Sequence, residues 1–268
     1  MKYSFVIVIL SLLTACQSAN NTTDSSNNNA IAATAVKQYE IIKIYPHDTS
    51  SYTQGLEWIN NELVEGTGNY GKSILHKLDA SMKSIGKVVK LPVTDFGEGI
   101  TVFKDKIYQL TWKEHKVYVY DAKSLEKIKE FYWPYEGWGL THNDSSLIVS
   151  TGSSNLYFVN PDNFTIQKTL GIYNQFGYVS DINELEFFDG KIAANLYLTN
   201  DIIFIDPITG HVKEMMNFDQ LLAQANVKTD PASIDPGYVL NGIAYHPNNK
   251  TLFITGKCWP IMAEIKIK

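Results

Sequence analysis

Glu98 stands between two glycines in the stretch FGEGITVF, residues 96–103, which otherwise reads as the start of a strand. Glycine in a strand interior costs stability and marks a bulge or a close approach by another backbone or a ligand. The carboxylate is therefore expected at a site, with Gly97 and Gly99 leaving room for a ligand to approach. Polar residues recur at matching places along the chain: Gln54 in QGLEW, Asn183 in NELEF and Asn241 in NGIAY, with Trp138 in WGLTH. Lys257, in ITGKCWP, follows an apolar run that reads as a strand, and Trp112, Tyr197 and Trp259 fall at similar strand ends. A carboxylate, a lysine and several amides beside an aromatic wall suit proton transfer on a small polar group held in a pocket.

The elements that must carry these residues repeat. The openings at Gln54, Glu98, Trp138, Asn183 and Asn241 are 44, 40, 45 and 58 residues apart. In the first three units a second apolar segment ends 13 residues after the opening, at Thr67, Thr111 and Thr151. A third segment follows, as in KVYVYD, NLYFVN, DIIFID and AEIKIK, and is expected to alternate apolar and polar residues. Three or four short strands per unit of 40 to 50 residues, five times over, is the signature of an all-β, five-bladed β-propeller over residues 36–268. The polar openings would then form a ring around the axis. The longest gap holds FDQLLAQANVKTDPASIDPGY, where Asp219 is expected to cap a short helix and Pro231 and Pro236 to stop it; this insertion has two readings, a cover near the site and surface ornament, of which the first is slightly favoured.

Composition narrows the partners. The chain has 268 residues, a net charge of −5 and no run of Lys or Arg, so it lacks the electrostatic footprint of a nucleic-acid-binding protein. Two cysteines leave no internal disulfide once Cys16 is set aside, and neither they nor the six histidines offer a zinc-ligand pattern; no metal or cofactor is expected. Lys2, an apolar run to Leu13 and then LTAC make residues 1–15 an export signal, whose end resembles the lipobox of bacterial lipoproteins, with Cys16 as the lipidated residue. Residues 16–35 are rich in Ser and Asn and read as a flexible tether. The expected setting is the bacterial cell envelope, lipid-anchored and facing the periplasm or the exterior, with the closed propeller monomeric.

In order along the chain, YPHDTSSYTQGLEW, GEGIT, YQLTWKE, EGWGLT, NELEF, IDPITG, VLNGIAY and TGKCWP resemble the glutaminyl-peptide cyclotransferases of the plant and bacterial type over residues 44–267. The resemblance implies a five-bladed propeller that converts the N-terminal Gln of peptides or proteins to pyroglutamate with release of ammonia. It also implies Glu98 as the acid/base carboxylate and Gln54, Trp112, Trp138, Asn183, Tyr197, Lys257 and Trp259 as pocket residues. Tyr52 and Tyr197 depart from the commoner Phe and Trp of the family. Two other readings fit the same residues: a non-catalytic, lipid-anchored binding module, and a Ca²⁺-dependent lactonase-like hydrolase with Glu98, Asn183 and Asn241 as oxygen ligands.

Overall fold

A computed structural model describes residues 31–268. The export signal, Cys16 and most of the expected tether lie outside the described residues. The chain from Ile31 onward folds as five antiparallel four-stranded sheets arranged as propeller blades. Blade 1 runs from the inner strand Thr53–Ile59 through Glu62–Thr67 and Ile74–Leu78 to the outer strand Ser84–Lys90. Blade 2 begins with Gly97–Phe103 and Lys106–Thr111, blade 3 with the shorter Leu140–His142, blade 4 with Ile182–Phe188 and blade 5 with Leu240–His246.

Blade 5 is completed from the other end of the chain. Its outermost strand is Tyr39–Pro46, paired antiparallel with the C-terminal strand Ile261–Ile267. Pairing this early segment with the C-terminal strand in one sheet closes the ring. Just upstream, Ala35–Val36 adds a short parallel strand to the rim of blade 4, and Thr34 donates from its N–H and Oγ1 to Gln175 Oε1 at 3.1 and 3.0 Å.

Burial is distributed over five seams, one between each pair of neighbouring blades, including the seam between blades 5 and 1. Each sheet is therefore covered on both faces. In the third strand of blade 2, Val117 and Val119 pack toward blade 3 while Tyr118 and Tyr120 pack toward blade 1. Ile202 and Phe204 face blade 5 in blade 4, and Ile203 and Ile205 face blade 3. These third strands are thus apolar on both faces, and the expected apolar–polar alternation fails because neither face meets water.

The inner strands have one edge turned to the axis, and carboxylates satisfy its backbone. Glu184 accepts from the N–H of Ile243 at 2.9 Å and of Leu56 at 3.3 Å, Glu186 from Tyr245 N–H at 2.7 Å, and Glu57 from Val102 N–H at 2.8 Å. Each bond crosses from one blade to another, so these buried acids tie the ring together.

The insertion differs in detail from expectation. Its helix is one turn, Leu221–Gln224, whose N-cap falls on Gln220 with no side-chain cap, while Asp219 Oδ1 accepts from Asn200 Nδ2 at 3.1 Å. Pro231 opens a separate 3₁₀ turn, Pro231–Ser233, capped by Asp230 Oδ1 at 2.9 Å from Ala232 N–H.

Candidate active site

The polar opening residues sit at irregularities of the inner strands. The pairing register of inner and second strands slips between Thr53 and Gly55, between Gly97 and Ile100, between Ile182 and Leu185 and between Leu240 and Ile243. Gln54, Glu98, Asn183 and Asn241 lie within those four slips. A bulge leaves a residue outside the ladder and re-aims its side chain, and here it does so at the same end of four blades.

The glycines beside Glu98 serve the blade seams. A Cβ on Gly99 would stand 2.6 Å from both Trp138 O and Leu140 N, and Gly99 N–H donates to Trp138 O at 2.7 Å. A Cβ on Gly97 would stand 2.7 Å from Thr67 O. Backbone of blades 1 and 3, not a ligand, fills the space expected for substrate approach.

Tyr52, Gln54, Phe96, Glu98, Trp112, Trp138, Asn183, Tyr197 and Lys257 line a cavity of about 160 Å³. Gln54, Glu98, Asn183 and Lys257 are buried, while the five aromatic rings are half-buried around them. Seven of the eight residues expected in the site are brought together. Trp259 is not among them: at Cys258 the chain takes φ +58°, and the Trp259 ring folds back against Gly256. Its indole N–H donates to Tyr238 O at 3.0 Å, so Trp259 anchors the insertion instead of lining the cavity.

Asn241 is also withheld from the cavity, but it orients a residue that lines it. Its Nδ2 donates to Thr53 O at 2.9 Å and to Gln54 Oε1 at 3.1 Å. A carbonyl can only accept, so Thr53 fixes the Asn241 amide, which in turn claims the Gln54 oxygen and leaves Gln54 Nε2 as a donor for the cavity. Asn183 contributes the opposite polarity, because its Oδ1 is buried with no protein partner among the described residues.

Lys257 lies between two rings, its Nζ 4.9 Å from the centroid of Tyr52 and 4.7 Å from that of Tyr197. Both faces present ring electron density to the ammonium. Burial nevertheless lowers its pKa to about 8, opposed by the Glu98 charge. Glu98 has no hydrogen-bonding or ion-pairing protein partner among the described residues. Burial holds its carboxyl well above the ordinary range; the Lys257 charge opposes this, and Glu114 and Glu136 add to it. An acid and a base whose ordinary values lie far apart are thereby drawn toward each other.

Four residues at or beside the cavity escaped the site expected from sequence. Tyr52 and Phe96 immediately flank the bulges, and Phe96 meets Tyr52 and Trp112 edge-on with centroids 6.1 and 5.6 Å away. Glu136 accepts the indole N–H groups of Trp112 and Trp138. Gly237 brings the insertion to the mouth, where an added Cβ would lie 3.5 Å from Tyr52 Oη and 3.9 Å from Tyr197 Oη. The aromatic-polar-Gly spacing around Gln54 and Glu98 could have revealed the first two; the others depend on contacts made between blades.

Comparison with known proteins agrees with this geometry. A sequence model of the glutamine cyclotransferase family matches residues 8–267. The chain is 34% identical over 236 residues to the glutaminyl-peptide cyclotransferase of Arabidopsis thaliana, covering 87% of this chain and 72% of that one. Its fold superposes on the crystal structure of Myxococcus xanthus glutaminyl cyclase with a TM-score of 0.79 and 31% identity, covering 88% of this chain and 98% of that one.

Proposed function

Because the chain belongs to the glutamine cyclotransferase family, we propose that it cyclises the N-terminal Gln of peptides without a metal, with Glu98 carrying the protons. The substrate supplies its own nucleophile. Its neutral α-amine attacks the γ-carboxamide carbon, the new C–N bond closes the five-membered ring, and the bond to the amide nitrogen breaks to give ammonia. Glu98 as carboxylate takes the proton released by the amine and delivers it to the departing nitrogen, so the enzyme returns to its starting state. A positioned group of this kind contributes roughly 10² to 10⁴ in rate.

The other cavity residues have complementary tasks. Rings of Phe96, Trp112, Trp138 and Tyr197 hold the Gln side chain folded over its own amine, which removes much of the entropy of ring closure. Gln54 Nε2 and the Lys257 ammonium donate to the carbonyl oxygen as it gains negative charge. Asn183 Oδ1 accepts from an N–H of the attacking amine or the carboxamide. The observation that carries the reading is Glu98 itself, a buried carboxyl with no hydrogen-bonding protein partner among the described residues, in an aromatic cavity. Among the described residues, no three His, Cys, Asp or Glu side chains are grouped to hold an ion.

The test is ammonia release from a Gln-initiated dipeptide amide by the purified protein, with and without EDTA, beside the Glu98→Gln variant. Turnover indifferent to EDTA and lost in the variant is expected. Turnover abolished by EDTA would favour the Ca²⁺-dependent reading, and a fully active Glu98→Gln enzyme would remove Glu98 from the mechanism.

For the part of the chain before Ile31, the proposal is an exported bacterial lipoprotein anchored through Cys16, acting as a monomer at the periplasmic or outer face of the envelope. Support comes from the positive, apolar and small-residue order of residues 1–16. Metabolic labelling with a clickable palmitate analogue should mark the wild-type protein and not Cys16→Ser; equal labelling of both would refute lipidation at Cys16.

A further inference from the structure

Two of the four rings assigned to fold the substrate are held by one carboxylate that does not line the cavity. Glu136 lies in the loop between the outer strand of blade 2, Lys127–Tyr132, and the inner strand of blade 3. A single oxygen, Oε2, accepts the indole N–H of Trp112 at 2.8 Å and that of Trp138 at 3.1 Å. These two tryptophans come from different blades, and no other hydrogen bond of either indole is present among the described residues.

A lysine and a neighbouring ring extend this arrangement. Glu136 Oε1 lies 3.7 Å from Lys113 Nζ, and that ammonium sits 3.8 Å from the centroid of Trp112. Trp138 meets Tyr197 edge-on at 5.5 Å, and Tyr197 is one of the rings around Lys257. Glu136 is partly exposed, its side chain retaining 41% of its accessible area, so blade packing does not demand a carboxylate there. An anion shared by two neutral indole donors makes both bonds charge-assisted, stronger than bonds to a neutral acceptor.

We propose that Glu136 is a positioning residue for the cyclisation, clamping Trp112 and Trp138 at the spacing and tilt that admit a folded Gln side chain. The inference rests on the cyclotransferase reading for its effect on turnover, and on the geometry alone for its effect on the rings. Without the clamp each indole is free to turn about its χ angles, and the substrate must order the wall as it binds. The loss therefore appears in substrate binding before it appears in the chemical step.

Glu136 also places negative charge near enough to raise the carboxyl of Glu98, and substitutions separate the two effects. Glu136→Gln keeps an oxygen acceptor and removes the charge, whereas Glu136→Ala removes both.

The experiment combines steady-state kinetics of ammonia release across pH with ¹H–¹⁵N spectra of the five tryptophan indoles. In Glu136→Ala, kcat/KM should fall by about ten- to a hundredfold, mostly through KM, as expected for losing hydrogen bonds to a charged group. The indole resonances of Trp112 and Trp138 should move upfield, while Trp133, which donates to the Glu136 backbone carbonyl at 3.2 Å, keeps its position. Glu136→Gln, which keeps a neutral oxygen acceptor, should fall between wild type and Glu136→Ala in KM and in the Trp112 and Trp138 positions, with the acid limb of its pH profile displaced to lower pH. Wild-type KM and unmoved Trp112 and Trp138 resonances in Glu136→Ala would overturn the proposal. Should the wild-type protein release no ammonia, the cyclotransferase reading falls while the indole resonances still decide the clamp.

Discussion

Replacing Gly99 by Ala tests whether the glycines beside Glu98 make room for substrate or for the neighbouring blade. An Ala Cβ would lie 2.6 Å from two backbone atoms, Trp138 O and Leu140 N. Neither can swing away as a side-chain tip would, because Trp138 O accepts Gly99 N–H at 2.7 Å and Leu140 begins the inner strand of blade 3. Relief requires blades 2 and 3 to part by several tenths of an ångström along a packed seam, and overpacking of this kind typically costs about 1–3 kcal/mol. For a domain of this size each kcal/mol moves the melting temperature by about 2–4 °C. Gly99→Ala should therefore melt roughly 2–12 °C below wild type, and its KM should rise because Trp138 moves with the seam. Thermal unfolding followed by circular dichroism, together with ammonia-release kinetics on the same preparations, reads both effects. A variant with unchanged melting temperature and a raised KM would refute the packing argument and restore the substrate-clearance reading.

Two further outcomes follow from the buried charges. Glu65, buried in blade 1, is bonded by His47 Nε2 at 3.1 Å, His76 Nε2 at 2.9 Å and Thr53 Oγ1 at 2.7 Å. The two histidines hold its carboxyl far below the ordinary 4.5, and Glu65 holds His47 above 6.5. A depressed acid stabilises the fold above its unfolded pKa and a raised His does so below its own, so the network contributes most between pH 4.5 and 6.5 and fades on either side. Glu65→Gln should cost about 3–5 kcal/mol in that window, as expected for breaking a buried charge network; pH-dependent denaturant midpoints that match wild type would exclude this role. Lys257, with its pKa lowered to about 8, should impose a decline of kcat/KM above that pH if its ammonium stabilises the oxyanion. Lys257→Met should lose roughly 10²- to 10³-fold of the activity and with it that alkaline decline, whereas a decline preserved in the variant would assign it to another group.

The comparison of sequence with structure divides along a physical line. What recurs along the chain was legible: the spacing of the openings at Gln54, Glu98, Trp138, Asn183 and Asn241 defined five blades, and the polarity of those openings located the axial ring. Glu98, Gln54, Asn183, Trp112, Trp138, Tyr197 and Lys257, grouped together by their positions in the sequence, line one cavity. Such features are local, because strand period and turn position depend on residues within a single blade.

What depends on two blades at once was decided by tertiary structure. The closing strand Tyr39–Pro46 is set by pairing with the far end of the chain. The glycines beside Glu98 are explained by carbonyls of blades 1 and 3, and the Glu136 clamp by indoles on two blades. Lys257 holds the strand-end position that brought Trp112 and Tyr197 to the cavity, whereas Trp259 lies two residues further on, past a left-handed turn at Cys258 that sends its ring beneath the insertion. The shift of Glu98 toward neutrality likewise follows from how much water the assembled ring excludes. A sequence specifies which groups each blade carries, but burial and contacts between blades exist only once the ring has closed.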